Sequence, residues 1–358
     1  MFNPKIPNND LPLLPGDFAY QNITLYTKVL EAQQELSKLN GLIHLLPNAD
    51  VLITPLITAE SVSSSAIENI NTTTIEVLKS QALPIESQVG PEKEVLHYRQ
   101  AIMHGYELIQ QKELLLISDI LAIQKIIEPD RHGIRTLPGT IIGNSKGETI
   151  YTPPEGKQII LDLLTNLEHF INTSDDNIYP LIKTGVIHFQ FEAIHPFYDG
   201  NGRTGRVMMI LYLIVTKLLD YPVLFLSGYI NKHKQEYYDI LRYTQETSDY
   251  TKIINYILEA ILVQSRITSQ KIIGIQQLIT KLEDSIHAII PKKSYQITWS
   301  LLKNPFITLQ NFADDIGVSR HTARSYSEKL NNANIIQKTE VGKYTLISVP
   351  AFIQLLSE

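Results

Sequence analysis

The chain contains no cysteine. That removes disulfides, thiolate nucleophiles and thiolate-held zinc together, and it suits a reducing compartment. Long apolar runs are missing too. The longest uninterrupted one, residues 207–215, lies between Arg206 and Lys217 and has about half the length that a bilayer-spanning helix needs. The first ten residues lack the basic-then-apolar pattern of a secretory signal. There is no basic excess: the net charge is −6, which argues against a chain devoted mainly to nucleic acid. Neither GxxxxGK[ST] nor HExxH occurs, so a Walker loop and a zincin site are set aside. Repeats and low-complexity tracts are also absent. These absences describe a cytoplasmic protein with no membrane partner.

What is present reads as a globular, mostly helical protein. The chain has 358 residues, 44% of them apolar and 19% charged, enough for two or three domains and a sizeable core. Apolar residues at helical spacing (Leu25, Val29, Leu30, Leu36, Leu39, Leu42) predict a helix over 25–46, stopped by Pro47-Asn48. Thr58 reads as the cap of a second helix through 61–67, and a third is expected over 92–111 after Gly90-Pro91. Between 133 and 154 the texture changes. Thr140 to Tyr151, with Gly143-Asn144-Ser145-Lys146-Gly147 at its centre, reads as a hairpin ended by Pro153-Pro154. Helical spacing returns over 156–171, 179–192, the run after Gly205, 229–244 and 251–279. The tail, 294–358, reads as helix, glycine turn at Gly317, a second helix over 319–330 and a hairpin around Gly342, which is the winged-helix order.

Residues 195–206, His-Pro-Phe-Tyr-Asp-Gly-Asn-Gly-Arg-Thr-Gly-Arg, carry the chemistry. Gly200 and Gly202 can take backbone angles that other residues avoid, and they stand at the start of an apolar helix, where backbone N–H groups form an anion site. Arg203 and Arg206, three apart, lie on one side of the first turn, and guanidinium forks suit phosphate oxygens. Asp199 sets a hard carboxylate beside that anion site, where Mg²⁺ can bridge it to phosphates. His195 lies just outside the cradle and titrates near neutral pH, as a general base must. Nest, cations, metal ligand and base are the parts of phosphoryl or nucleotidyl transfer. The histidines His97, His104, His188 and His321 have no neighbours in sequence that suggest a metal site.

This segment resembles the Fic motif, HPFx[DE]GNGRxxR, and matches it at every fixed position. The resemblance extends upstream through Phe191-Glu192-Ala193-Ile194, and Leu11-Pro12-Leu13-Leu14-Pro15 looks like part of the family's N-terminal domain. It implies an all-helical core with a small β-hairpin flap, and three segments: 1–112 N-terminal, 113–285 catalytic, 290–358 winged-helix. It also implies roles. His195 would deprotonate a target hydroxyl, Phe197 would anchor the loop, and Asp199 would hold Mg²⁺ on the phosphates of ATP. Gly200, Asn201 and Gly202 would cradle those phosphates, with Thr204 and Gly205 in the same nucleotide-binding turn. Arg203 and Arg206 would hold the β- and γ-phosphates. Kinase-like relatives carry lysine at the position of Gly202, so glycine there favours AMP transfer.

Further resemblances bear on control and recognition. Ser64, Glu68 and Asn69 stand at the fixed places of the family's inhibitory motif, [ST]xxxE[GN]. Glu68 reads as lying in the last turn of its helix, with Asn69 as the C-cap; a carboxylate there opposes the helix dipole and so favours a cationic partner, and the resemblance implies Arg206. The hairpin over 140–151 looks like the flap, whose edge would pair with an extended target segment. Asn231, Tyr237 and Tyr238 resemble the base-pocket stretch, although the family usually has asparagine where this chain has His233. The tail holds eight Lys/Arg against five Asp/Glu from residue 292 onward. Arg320, Arg324 and Lys329 share its second helix with Glu328, so docking or homodimerisation is favoured over DNA binding. The reading is a protein adenylyltransferase using ATP and Mg²⁺ on Ser, Thr or Tyr hydroxyls, its own included. The alternatives are AMP removal, another nucleotide or phosphate transfer, or a DNA-binding regulator.

Overall fold

The computed structural model describes residues 2–18, 20, 22–46, 50–84, 88, 90–143 and 146–357. The expected stop at Pro47-Asn48 and the Asn144-Ser145 tip of the hairpin lie outside the described residues. The chain is mostly helical, with small antiparallel sheets. It divides into two compact units, Met1–Ser37 with His97–Ser265, and Lys38–Leu96 with Arg266–Glu358. Three helices run from one unit into the other: α1 (Ile23–His44), α4 (Pro91–Lys112) and α11 (Thr251–Ile289). No helix among the described residues is long and apolar enough to cross a membrane.

The first unit is built round α7 (Pro180–Ile194) and α8 (Asn201–Val215). Almost every side chain of both is buried, so neither has a polar face, as expected for central helices. Beside them lie α5 (Ile117–Ile127), α6 (Lys157–Asn172) and α9 (Leu226–Lys232). The helix expected over 229–244 is two helices, α9 and α10 (Lys234–Thr247), parted at His233. The ring of His233 stacks on Tyr229 at 4.2 Å and its Nδ1 meets the Tyr229 carbonyl at 3.0 Å. The hairpin is short: β1 (Ile142–Gly143) pairs with β2 (Thr149–Tyr151). The N-terminal stretch straps this unit. Asn166 on α6 exchanges two hydrogen bonds with the Leu14 backbone, and Gln190 on α7 donates to the Pro12 carbonyl.

In the second unit, α2 (Asp50–Ile67) begins well before the position read as its cap. Thr58 is inside the helix, and its hydroxyl donates to the Thr54 carbonyl one turn back, the usual satisfaction of a mid-helix threonine. Then comes α3 (Thr74–Gln81), closed at its start by a capping box between Thr73 and Glu76. The tail follows: α12 (Ser294–Lys303), β3 (Ile307–Thr308), α13 (Leu309–Ile316), α14 (Arg320–Asn332), β4 (Gln337–Val341), β5 (Tyr344–Ser348) and α15 (Pro350–Ser357). The sheet order is β3-β5-β4. Thr308 and Ser319 cap α13 and α14, and Gly317 turns between them at φ 64°. Helices α12 and α15 pack on α2, and α15 on α3. The Lys79 ammonium lies 5.5 Å from the Phe306 ring centroid.

Candidate active site

The site loop joins two helix ends. Helix α7 stops at His195, which is left-handed (φ 48°, ψ 59°). Helix α8 starts after Gly200, also left-handed (φ 77°). A side chain at Gly200 would be strained there, and its Cβ would come within 3.0 Å of Glu128 Cγ. The first helical bond of α8 runs from the Thr204 N–H to the Gly200 carbonyl. The N–H groups of Asn201, Gly202 and Arg203 precede it, so their own helix offers them no acceptor. These are the N–H groups of the turn that the sequence reading took for an anion cradle.

Other motif side chains hold the loop together. Asn201 accepts from the Phe197 N–H and donates to the Phe197 carbonyl, both at 2.9 Å. Phe197 is fully buried against Phe191. Thr204 is fully buried. Gly205 marks a close helix approach: a Cβ there would lie 2.6 Å from Glu192 Oε1 and 3.1 Å from Phe191 Cδ1. The side chains of Asn201, Thr204 and Phe197 thus build the cradle, and backbone lines it.

The charged residues divide. Arg203 and Arg206 are both buried, and Arg203 pairs with Glu128, the residue that follows α5. Asp199 is half-exposed; its Oδ1 accepts from the Gly200 N–H at 2.7 Å and its Oδ2 lies 3.7 Å from Arg131. No group of three or more His, Cys, Asp or Glu that could hold a metal occurs among the described residues. His188, beneath Gly205, is fully buried and meets the Tyr237 hydroxyl at 2.7 Å. Burial, aided by the nearby Arg206 charge, pulls its pKa down to about 3. Of the adjacent tyrosines, Tyr237 is the buried one and Tyr238 is 42% exposed; Asn231 is exposed as well.

A second segment, which the sequence reading did not single out, laces the loop from outside. Ile134 makes a β-bridge to Phe197. Gln124 of α5 donates to the carbonyls of Asp199 and Arg131 and accepts from the Gly133 N–H. The Thr136 and Leu137 N–H groups donate to the Tyr198 hydroxyl, at 2.9 and 3.1 Å. With the Thr136 side chain as the leading cause, these bonds hold the Tyr198 phenol below its usual pKa. Arg135 is buried and donates to the carbonyls of Ile194, His195, Pro196 and Pro154. Periodicity carries no trace of residues 131–137, because they lie in irregular backbone. The one sequence signal was the change of texture at Gly133.

In the other unit, the inhibitory-motif residues form a helix ending. Ser64 is buried and Glu68 exposed. The Ile70 N–H donates to the Ser65 carbonyl and the Asn69 N–H to the Ala66 carbonyl, with Asn69 left-handed at φ 65°. This is a Schellman turn. Glu68 therefore sits one residue past the last helical turn rather than within it.

Comparison with known proteins agrees with this geometry. The Fic/DOC family N-terminal model matches residues 26–107 and the Fic/DOC family model residues 109–213. A protein adenylyltransferase Fic from Drosophila grimshawi is 24% identical over 191 residues, 52% of this chain and 37% of that protein. One from Nematostella vectensis is 26% identical over 152 residues, 41% of this chain and 35% of that protein. The chain thus spans just over a third of the length of these relatives. A Fic family protein from Desulfovibrio desulfuricans shares the fold with TM-score 0.59 at 19% identity, over 92% of this chain and 97% of that one. Fic-1 from Caenorhabditis elegans does so with TM-score 0.54 at 18% identity, over 70% of this chain and 73% of that one. The intact motif, the loop it builds and these matches make the chain a member of the Fic family.

Proposed function

We propose that this chain transfers AMP from ATP to Ser, Thr or Tyr hydroxyls of proteins, including its own. The observation that carries the reading is the loop itself, a left-handed His195 at one helix end and an open backbone cradle at the next. His195 takes the proton from the target hydroxyl. The oxygen attacks the α-phosphorus, the bond to the bridging oxygen breaks, and pyrophosphate leaves. The backbone of Gly200, Asn201 and Gly202 cradles the phosphates, with Arg203 and Arg206 against the developing charge. Gly202 in place of lysine favours AMP over phosphate.

Mg²⁺ fits the donor set. The protein offers one half-exposed carboxylate, Asp199, beside the anion cradle, and Mg²⁺ is commonly held by one or two carboxylates plus substrate phosphates and water. When bound it would neutralise phosphate charge. Asn231 and Tyr238 face outward at the expected base pocket, whereas Tyr237 supports His188 from within. The two-stranded hairpin leaves each strand one edge without a strand partner among the described residues, so a target segment can add there.

Glu68 is the brake in this reading. Its carboxylate, at the end of α2, pairs with Arg206 and displaces the γ-phosphate from the productive pose. The three functional segments, 1–112, 113–285 and 290–358, follow the same reading, and the tail is a winged helix that serves docking or homodimerisation. Mass spectrometry of the intact protein after incubation with ATP and Mg²⁺ tests the core of it. An AMP-sized adduct is expected to be strong in Glu68→Gly, weak in wild type and absent in Glu68→Gly/His195→Ala. No adduct in Glu68→Gly would remove self-transfer. An equal adduct in wild type would remove the brake.

A second reading has one observation of its own. Helix α14 presents Arg320, His321 and Arg324 to solvent in a helix–turn–helix arrangement. Duplex DNA binding that weakens steeply with salt would support it, and its absence would leave docking.

A further inference from the structure

The left-handed backbone of His195 needs an explanation from outside the loop. A residue other than glycine in that region is strained and persists only where its surroundings over-determine it. Three consecutive carbonyls end α7, and Arg135 donates to all of them. Its Nε reaches the His195 carbonyl at 2.7 Å, a terminal nitrogen reaches Ile194 at 3.3 Å, and its backbone N–H reaches Pro196 at 2.9 Å. Those of Ile194 and His195 are among the carbonyls that a helix C-terminus leaves without partners, and the negative end of the helix dipole favours a cation there. The same guanidinium donates to the Pro154 carbonyl, three residues beyond the flap strand β2. Tyr151, the last residue of β2, reinforces the link by donating to the Ala193 carbonyl at 2.8 Å.

We infer that Arg135 is the positioning residue that fixes His195 and ties the base to the root of the flap. This rests on the proposed role of His195 as base. All three described side-chain bonds of this guanidinium go to two backbone segments: the turn that aims the base and the stretch that follows the strand beside which a target segment would dock. The base and the docking edge therefore keep a fixed distance. Lysine would keep the charge but not the fork, since three carbonyls lie in separate directions and an ammonium is a single point. Arg135 touches neither nucleotide cradle side chain, Arg203 nor Arg206, in any described hydrogen bond or ion pair.

The test uses the Glu68→Gly protein as parent, with Arg135→Lys and Arg135→Gln added separately. AMP transfer is measured as kcat and KM for ATP, and amide hydrogen exchange is followed across the chain. Misplacing a reacting group by about 1 Å costs roughly 100-fold. The expected result is a fall in kcat of that order in Arg135→Lys, with KM for ATP unchanged within about twofold. Exchange is expected to quicken together in 149–155 and 193–198 while α8 stays protected. Unchanged kcat overturns the inference. So does a loss of kcat, ATP affinity and α8 protection together, which would mark general destabilisation. If the parent itself transfers no AMP, the functional reading fails; the exchange experiment still decides the tie, and quickening in only one segment or neither refutes it.

Discussion

Two helices end on left-handed residues, and they are held in opposite ways. Helix α2 ends in a Schellman turn at Asn69, closed by backbone hydrogen bonds from Asn69 and Ile70 to the Ala66 and Ser65 carbonyls just before it. Helix α7 ends on His195, where an arginine sixty positions away supplies the donors. The first turn is closed by backbone bonds within its own helix end. The second also takes donors from residue 135, far away in the chain.

Substitutions at the two endings sharpen that contrast. The largest effect is expected at the base: His195→Ala in the Glu68→Gly parent should lower AMP transfer about 1,000-fold, within the usual range for a lost general base, while the melting temperature barely moves. Next, Glu68→Gly alone should raise self-modification roughly tenfold or more over wild type, a change that intact-mass time courses resolve; relief of a coupling of about 1–3 kcal/mol spans that range. Gly200→Ala should cost about 1–2 kcal/mol of stability, since alanine is disfavoured at φ 77° and its Cβ meets Glu128. Asn69→Ala should cost less, about 1 kcal/mol, and Asn69→Gly less again, because alanine is disfavoured and glycine tolerated at φ 65°. Thermal denaturation separates the three.

The ground beneath the catalytic loop gives the smallest effect, and it depends on pH. His188 is buried and neutral, with its pKa lowered from 6.5 to about 3. The unfolded chain binds a proton there between those values and the folded chain does not. Folding stability from this group is therefore complete above about pH 6.5 and is lost as pH falls toward 3. A His188→Gln protein should show a flatter loss of stability over that window in urea titrations at stepped pH.

The sequence was legible wherever information is local. The motif loop, Gly200, the Asn69 turn and the glycine turn at Gly317 follow from residue types at fixed offsets. Thr58 misled, because a threonine hydroxyl serves equally as a cap or as a donor to the carbonyl four residues back. Helices α3 and α5 were short enough to escape a periodicity reading. Arg135, Gln124 and Glu128 could not be found, since their value lies in contacts across the fold rather than in spacing. The tail's place against α2 and α3 is likewise a tertiary fact.

The central claim is that this loop moves an adenylyl group. Glu68→Gly protein would be incubated with Mg²⁺ and ATP carrying label on either the α- or the γ-phosphate. Label from the α-position should enter the protein, label from the γ-position should not, and His195→Ala should abolish entry of the α-label. Transfer of the γ-label in place of the α-label would contradict the account and make the chain a phosphotransferase.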